Sequence, residues 1–281
     1  MIHYHHLKFL IFISLASCIG ATRIYAQNNM TGTYEKLDDA KYGFEYVIYE
    51  NDKELDDKVQ KHYKLLVGDK YLRFCDARRY QGDSIFSKPE AKKLSNQEGF
   101  GIAMRYYSGT PSENFYVNLK DSTYEFLTYC GEEIGYKDNL PKLKWELLDA
   151  DVVNPKNYPG MTLKKAKTNF GGRTWYALYN PEITIPYGPY FFGGLPGLIF
   201  SLWDEDLDFL IGLLPKFDLK VDDIQKSVQD RDMLSRNIFY KTLWYNYKEG
   251  GLHETLQATG ILPPKSNKAK SVRGHYVPLM K

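Results

Sequence analysis

Residues 191–200 read Phe191-Phe-Gly-Gly-Leu-Pro-Gly-Leu-Ile-Phe200, an apolar run into which three glycines and a proline are set. Leu198, Phe200 and Leu202 fall on one side of an extended chain, because successive strand residues point to opposite faces. The special residues therefore stand at the entrance of a strand. Gly193 and Gly194 supply positive φ or close backbone approach, and Leu195-Pro196-Gly197 makes a tight turn. Pro186, Gly188 and Pro189 carry the chain across a sheet end, since proline cannot serve a central ladder. A corner of a curved sheet needs such residues, and it needs no ligand.

Working outward, the dominant period is two. Phe44, Tyr46 and Ile48 alternate with Glu45, Val47 and Tyr49; Tyr63 to Val67 and Tyr71 to Cys75 flank Gly68-Asp69 as a hairpin. Ile102 to Tyr107, Phe115 to Leu119, Tyr124 to Tyr129, Lys144 to Leu148, Met161 to Thr168, Arg173 to Tyr179, Leu198 to Trp203 and Phe209 to Leu214 read as further strands. Asn51 to Gln60 reads as a charged connection and Arg78 to Glu98 as a long polar loop. The expected fold is mainly β, a curved antiparallel meander or half-barrel. From Val221 the spacing of Val221, Ile224, Val228, Phe239, Leu243 and Trp244 turns helical, with Asp222 as a cap and Gly250-Gly251 as a stop. One or two helices should pack on the sheet before an extended tail from Pro263. The β region is expected over 27–218, and 219–281 completes the same domain.

The amino terminus carries His3, His5, His6 and Lys8, then the apolar run Phe9 to Ala16, and no acid before Glu35. Residues 1–26 thus read as an export signal cut after Ala26, or as a lipoprotein signal in which Cys18 takes the lipid. Cleavage removes Lys8 and Arg23, which brings the 37 basic residues level with the 35 acidic ones. A neutral chain offers no electrostatic footprint for nucleic acid. Cys75 and Cys130 either pair in an oxidising compartment or stay as buried thiols.

Catalytic signatures fail. There is no Gly-x-Ser-x-Gly elbow, His253 lacks the second histidine of a zinc protease, and His62, His253 and His275 are far apart in sequence. Asp204, Asp206 and Asp208 alternate like calcium ligands, yet Phe209 and Pro215 stand where an EF-hand needs Gly and Glu. A polar hairpin turn explains those carboxylates, and neither a catalytic residue, a metal ligand nor a cofactor is expected. Aromatic residues make up 15% of the chain, which suits half-buried sheets better than a ligand platform.

The segment Gly194-Leu-Pro-Gly-Leu-Ile199, with Gly188-Pro189-Tyr190 and Arg173-x-Trp175-x-Ala177 before it and Leu140-Pro141-x-x-x-Trp145 and Lys165-Ala166 earlier still, resembles the GLPGLI family of exported bacterial proteins. The resemblance is strong over residues 134 to 210. It implies export and a structural role for Arg173, Trp175, Gly188, Pro189, Gly194, Leu195, Pro196, Gly197, Leu198 and Ile199; it implies no reaction. Leu163 stands where many members carry a cysteine. The expected function is that of a non-enzymatic envelope protein, periplasmic or associated with the outer membrane, binding an apolar small molecule or an outer-membrane protein. The alternative is a periplasmic hydrolase in which one of Asp204, Asp206 and Asp208 converges with a distant histidine.

Overall fold

The computed structural model describes residues 33–107, 113–129, 133–153, 155–215, 223–228, 230–249, 251 and 277–280. The export signal, Cys18, Cys130, Val221, Asp222, His253, His275 and Pro263 lie outside them.

The strands are β1 Tyr34–Asp38, β2 Tyr42–Asp52, β3 Asp57–Val67, β4 Tyr71–Asp76, β5 Asn114–Asn118, β6 Thr123–Tyr129, β7 Glu133–Asn139, β8 Glu146–Val153, β9 Thr162–Phe170, β10 Arg173–Asn180, β11 Leu198–Asp204, β12 Phe209–Leu213, β13 Ile224–Ser227 and β14 Asp232–Met233. Twelve form one sheet in the order β14-β7-β6-β5-β4-β3-β2-β12-β11-β10-β9-β8, and β1 pairs with β13 in a separate ribbon. Every pairing is antiparallel except the short parallel contact of β14 with β7. The fold is therefore mainly β and antiparallel, as the alternation predicts. The sheet is open, with β8 and β14 as its edges.

Its curvature follows from chain reach. β7 and β8 stand ten strand spacings apart, yet only Leu140 to Trp145 join them. Ten spacings span about 48 Å if flat, whereas the connection reaches about 25 Å at most. The two ends of the sheet must bend toward one another. Aromatic contacts agree: the Phe191 ring lies 5.4 Å from Tyr124 on β6 and 5.1 Å from Phe170 on β9. The concavity is filled by Trp175, Phe200, Phe209, Tyr46 and their neighbours, by the 181–197 loop, and by the carboxyl-terminal helix.

The structure corrects several expectations. Arg78 to Glu98 is no loop: helix α1 covers Ala77–Phe86, a 3₁₀ turn Pro89–Lys93 and helix α2 Asn96–Tyr107, which absorbs the expected strand at Ile102 to Tyr107. Helix α1 escapes a search for apolar periodicity because its buried side includes Arg79 and Asp83 as well as Tyr80 and Phe86. Asp76 caps it, accepting from the backbone N–H of Arg78 at 2.7 Å and of Arg79 at 3.2 Å. The charged connection at Asn51 to Gln60 is the tip of a long hairpin, because Glu50, Asp52 and Lys61 are buried among partners. Ile224 begins a strand rather than a helix, since Ile224 to Ser227 extend the ribbon along Tyr34 to Asp38. The helical expectation holds for α3, Arg236–Lys248, which buries Phe239, Leu243 and Tyr247. Cys75 is a buried thiol, and the pairing considered for it involves Cys130, which lies outside the described residues. No described helix is long and apolar enough to cross a membrane.

Candidate functional site

Three constellations test the sequence reading. The first is the acidic turn between β11 and β12. Carboxylate oxygens of Asp204, Asp206 and Asp208 lie within 4.8 Å of one another, a spacing a cation could bridge. A protein cation already bridges two of them. The buried Arg173 guanidinium donates to Asp204 and Asp208, each at 2.6 Å, and Lys53 approaches Asp208 at 2.9 Å. Burial pushes Asp208 up, but the hydrogen bonds from Arg173 and Lys53 outweigh it and hold the carboxyl below its ordinary range. Asp204 also accepts from the Phe209 N–H at 2.8 Å, closing the turn. Arg173 then donates to the Pro278 carbonyl at 3.0 Å, while Leu279 is buried in the main core. Arg173 is thus a clasp joining the acidic turn to the carboxyl-terminal tail. No histidine reaches these acids among the described residues: His62 contacts Gln60 at 3.1 Å on an exposed surface.

The second constellation is the loop that introduces β11. Gly194 has φ +85°, a conformation glycine adopts without cost. Gly197 is constrained differently: a Cβ there would stand 2.0 Å from the Asn180 carbonyl oxygen, so close approach rather than positive φ demands glycine. A Cβ on Gly188 would meet Ile199 at 2.7 Å. The loop is anchored on both sides. Trp145 donates to the Gly193 carbonyl at 2.9 Å, and the Tyr46 hydroxyl donates to the Ile199 carbonyl at 2.6 Å. The separated sequence motifs around Leu140, Trp145 and Gly194 therefore meet in space. Between them lies a cavity of about 220 Å³, walled chiefly by Leu72, Val117, Leu143, Tyr190, Phe191 and Phe192.

The third constellation carries no sequence motif. The inner faces of β2 and β3 hold the buried pair Glu50–Lys61, with oxygens 2.8 and 2.9 Å from the ammonium. Asp52 pairs with Lys248 of α3. Beside them Glu113, the residue before β5, accepts from the Tyr63 hydroxyl at 2.6 Å and the Tyr190 hydroxyl at 3.3 Å. No described cation lies within ion-pair distance of it. Desolvation, and then the nearby Glu50, push the Glu113 carboxyl up to about 7, against the lowering from Lys61 and the two tyrosines. Tyr190 holds this place with φ +56°, an unusual conformation for a bulky residue and one concentrated at functional positions. Sequence reasoning missed Glu113 because a single acid beside an expected strand looks like any loop residue. Its only sequence signal is the spacing from Phe115 and Val117, which places it on the inward side.

No family model matches the chain, and no curated protein matches it. Among solved structures, two of PNGF-II, in P21 and C2 crystal forms, resemble it at 14% and 15% identity. Their TM-scores are 0.48 and 0.47, and 72% of this chain aligns in each. The chain spans about a third of the length of those proteins, with 33% and 32% of each covered.

Proposed function

We propose that the protein is an exported, non-enzymatic binding protein of the GLPGLI type, which holds a small apolar molecule beneath the loop at 186–197. The cavity of about 220 Å³ carries this reading. Its walls are aromatic and aliphatic, and its floor and roof come from segments that the sequence resemblance singles out. A cavity of about 150 Å³ lined by apolar side chains accepts benzene, so this one has room for a single- or double-ring compound. An outer-membrane protein partner is the second occupant class, and crosslinking in the native envelope tests for it. The pairing of Arg173 with Asp204 and Asp208 weighs against the hydrolase reading for those two acids.

The test is calorimetric titration with indole, paired with mass spectrometry of the protein purified from its own envelope. Indole should bind the natural protein, and Val117→Phe, which fills the cavity, should abolish binding without lowering the melting temperature. Equal indole binding by both proteins, or by neither, overturns the reading. Mass spectrometry should find an apolar compound bound, and a chain starting at Gln27 or a lipidated Cys18; an uncleaved chain overturns export.

A further inference from the structure

Glu113 occupies one row of inward-facing residues that runs from β3 to β7. Cys75 pairs with Asn114, and Asn114 pairs with Leu127. One step along each ladder sets Asp76 and Thr128 on either side of Glu113, with Tyr63 opposite Asp76 and Ile134 opposite Thr128. The Asp76 N–H donates to the Glu113 carbonyl at 3.0 Å, which fixes this register. An apolar core is thereby interrupted by Tyr63, Asp76, Glu113 and Thr128 side by side.

Two features of the row are unexplained by folding. Thr128 has no exposed surface, yet its Oγ1 has no hydrogen-bond partner among the described residues. A buried hydroxyl without a partner costs about 1–3 kcal/mol, and such groups are rare. Glu113, its neighbour in the row, accepts from two tyrosines and has no cation within ion-pair distance among the described residues. The charges that face Glu113 are Glu50 on β2, Lys61 on β3 and Asp76 on β4, and the facing hydroxyls are Tyr63, Tyr190 and Tyr240 of α3. Lys61 is committed to Glu50, and Lys248 to Asp52. The interior is thus short of positive charge at Glu113. A bound anion would aggravate that shortage, while a neutral apolar group would leave the Thr128 hydroxyl unsatisfied.

We propose that Glu113 and Thr128 form a binding site for a primary amine, whose ammonium group donates hydrogen bonds to the Glu113 carboxylate and to Thr128 Oγ1. The ammonium supplies the missing charge and the missing hydrogen-bond partner together. Tyr63 and Tyr190 orient the carboxylate; burial raises both hydroxyls well above their ordinary range, so they remain neutral donors. Binding needs Glu113 ionised, so in the free protein an amine displaces a proton. Neither Glu113 nor Thr128 lines the apolar cavity.

The direct test is calorimetric titration of the full-length mature protein with n-butylamine, using n-butanol and butyrate as neutral and anionic controls. The amine should bind and the two controls should not. Affinity should weaken about tenfold for each pH unit below 7, where Glu113 takes up its proton, and should level off above it. At pH 6 binding should release close to one proton, read from the dependence of the heat on buffer ionisation. Glu113→Gln should abolish binding, and Thr128→Val should weaken it about tenfold while raising the melting temperature, because the orphan hydroxyl is gone. If Glu113→Gln fails to fold, the Thr128→Val pair of results decides the matter. Butylamine binding unaffected by Thr128→Val, binding that is tighter at pH 5 than at pH 8, or preferential binding of butyrate would overturn the proposal. Its failure leaves the indole experiment untouched, since that reads a cavity which neither Glu113 nor Thr128 lines.

Discussion

Replacing Arg173 by methionine keeps the length of the side chain and removes its charge. Arg173 and Asp204 are both buried, with side chains 1% and 0% exposed, so the substitution strands Asp204 as an unpaired charge in the core. Asp208 is 13% exposed and retains Lys53, which limits the loss there. Removing one partner of a buried ion pair costs about 3–5 kcal/mol. For a domain of this size each kcal/mol lowers the melting temperature by about 2–4 °C, giving an expected drop of about 6–20 °C. A second effect has its own readout, because the hydrogen bond to the Pro278 carbonyl goes with the guanidinium. Limited proteolysis should therefore cut the carboxyl-terminal tail of Arg173→Met well below its melting temperature, while the natural chain resists. The double variant Arg173→Met with Asp204→Asn should recover part of the lost stability, since it no longer buries an unpaired charge. Calcium at 1 mM, roughly the scale of weak extracellular sites, should leave the melting of the natural protein unchanged. A drop below about 1 kcal/mol, the size of an exposed pair, together with calcium stabilisation of the natural protein, would refute the clasp and restore the metal site.

The glycines of the 186–197 loop should separate by mechanism. Gly194→Ala meets open space at φ +85° and should cost about 1–2 kcal/mol, whereas Gly197→Ala, 2.0 Å from the Asn180 carbonyl, should cost at least about 3 kcal/mol, measured by urea unfolding. The Glu113 carboxyl is raised from 4.5 to about 7 on folding, so between those values the native state holds the extra proton and stability falls as pH rises. The fall should approach about 3 kcal/mol, reduced by the hydration that the half-buried side chain retains, and should vanish in Glu113→Gln when melting is followed from pH 4 to pH 8. Burial pushes the Cys75 thiol up to about 11 and shields it, so it should resist a disulfide reagent at pH 8 until the protein unfolds.

What the sequence determined was the period of the chain and the places where it must turn. Alternation in Arg173 to Asn180 and Leu198 to Asp204 survives because each strand buries one face, and a one-residue slip would expose all of it. The glycine and proline positions around Gly194 were legible for the same reason, as backbone geometry is local. Pairing between distant charges is not local. Asp52 falls in the expected charged connection, which Glu50 and Lys61 border, and Arg79 and Asp83 fall in the expected polar loop, yet each is buried against a partner 10 to 196 residues away. That misreading turned helix α1 into a loop and the β2–β3 hairpin into a connection. The same cause hid Glu113, whose carboxyl is raised by burial and by Glu50 against the opposing pull of Lys61, Tyr63 and Tyr190, groups that converge from separate segments. Only the tertiary structure decides which charges find partners, because the free energy of a buried charge is set by neighbours that the sheet's curvature brings together.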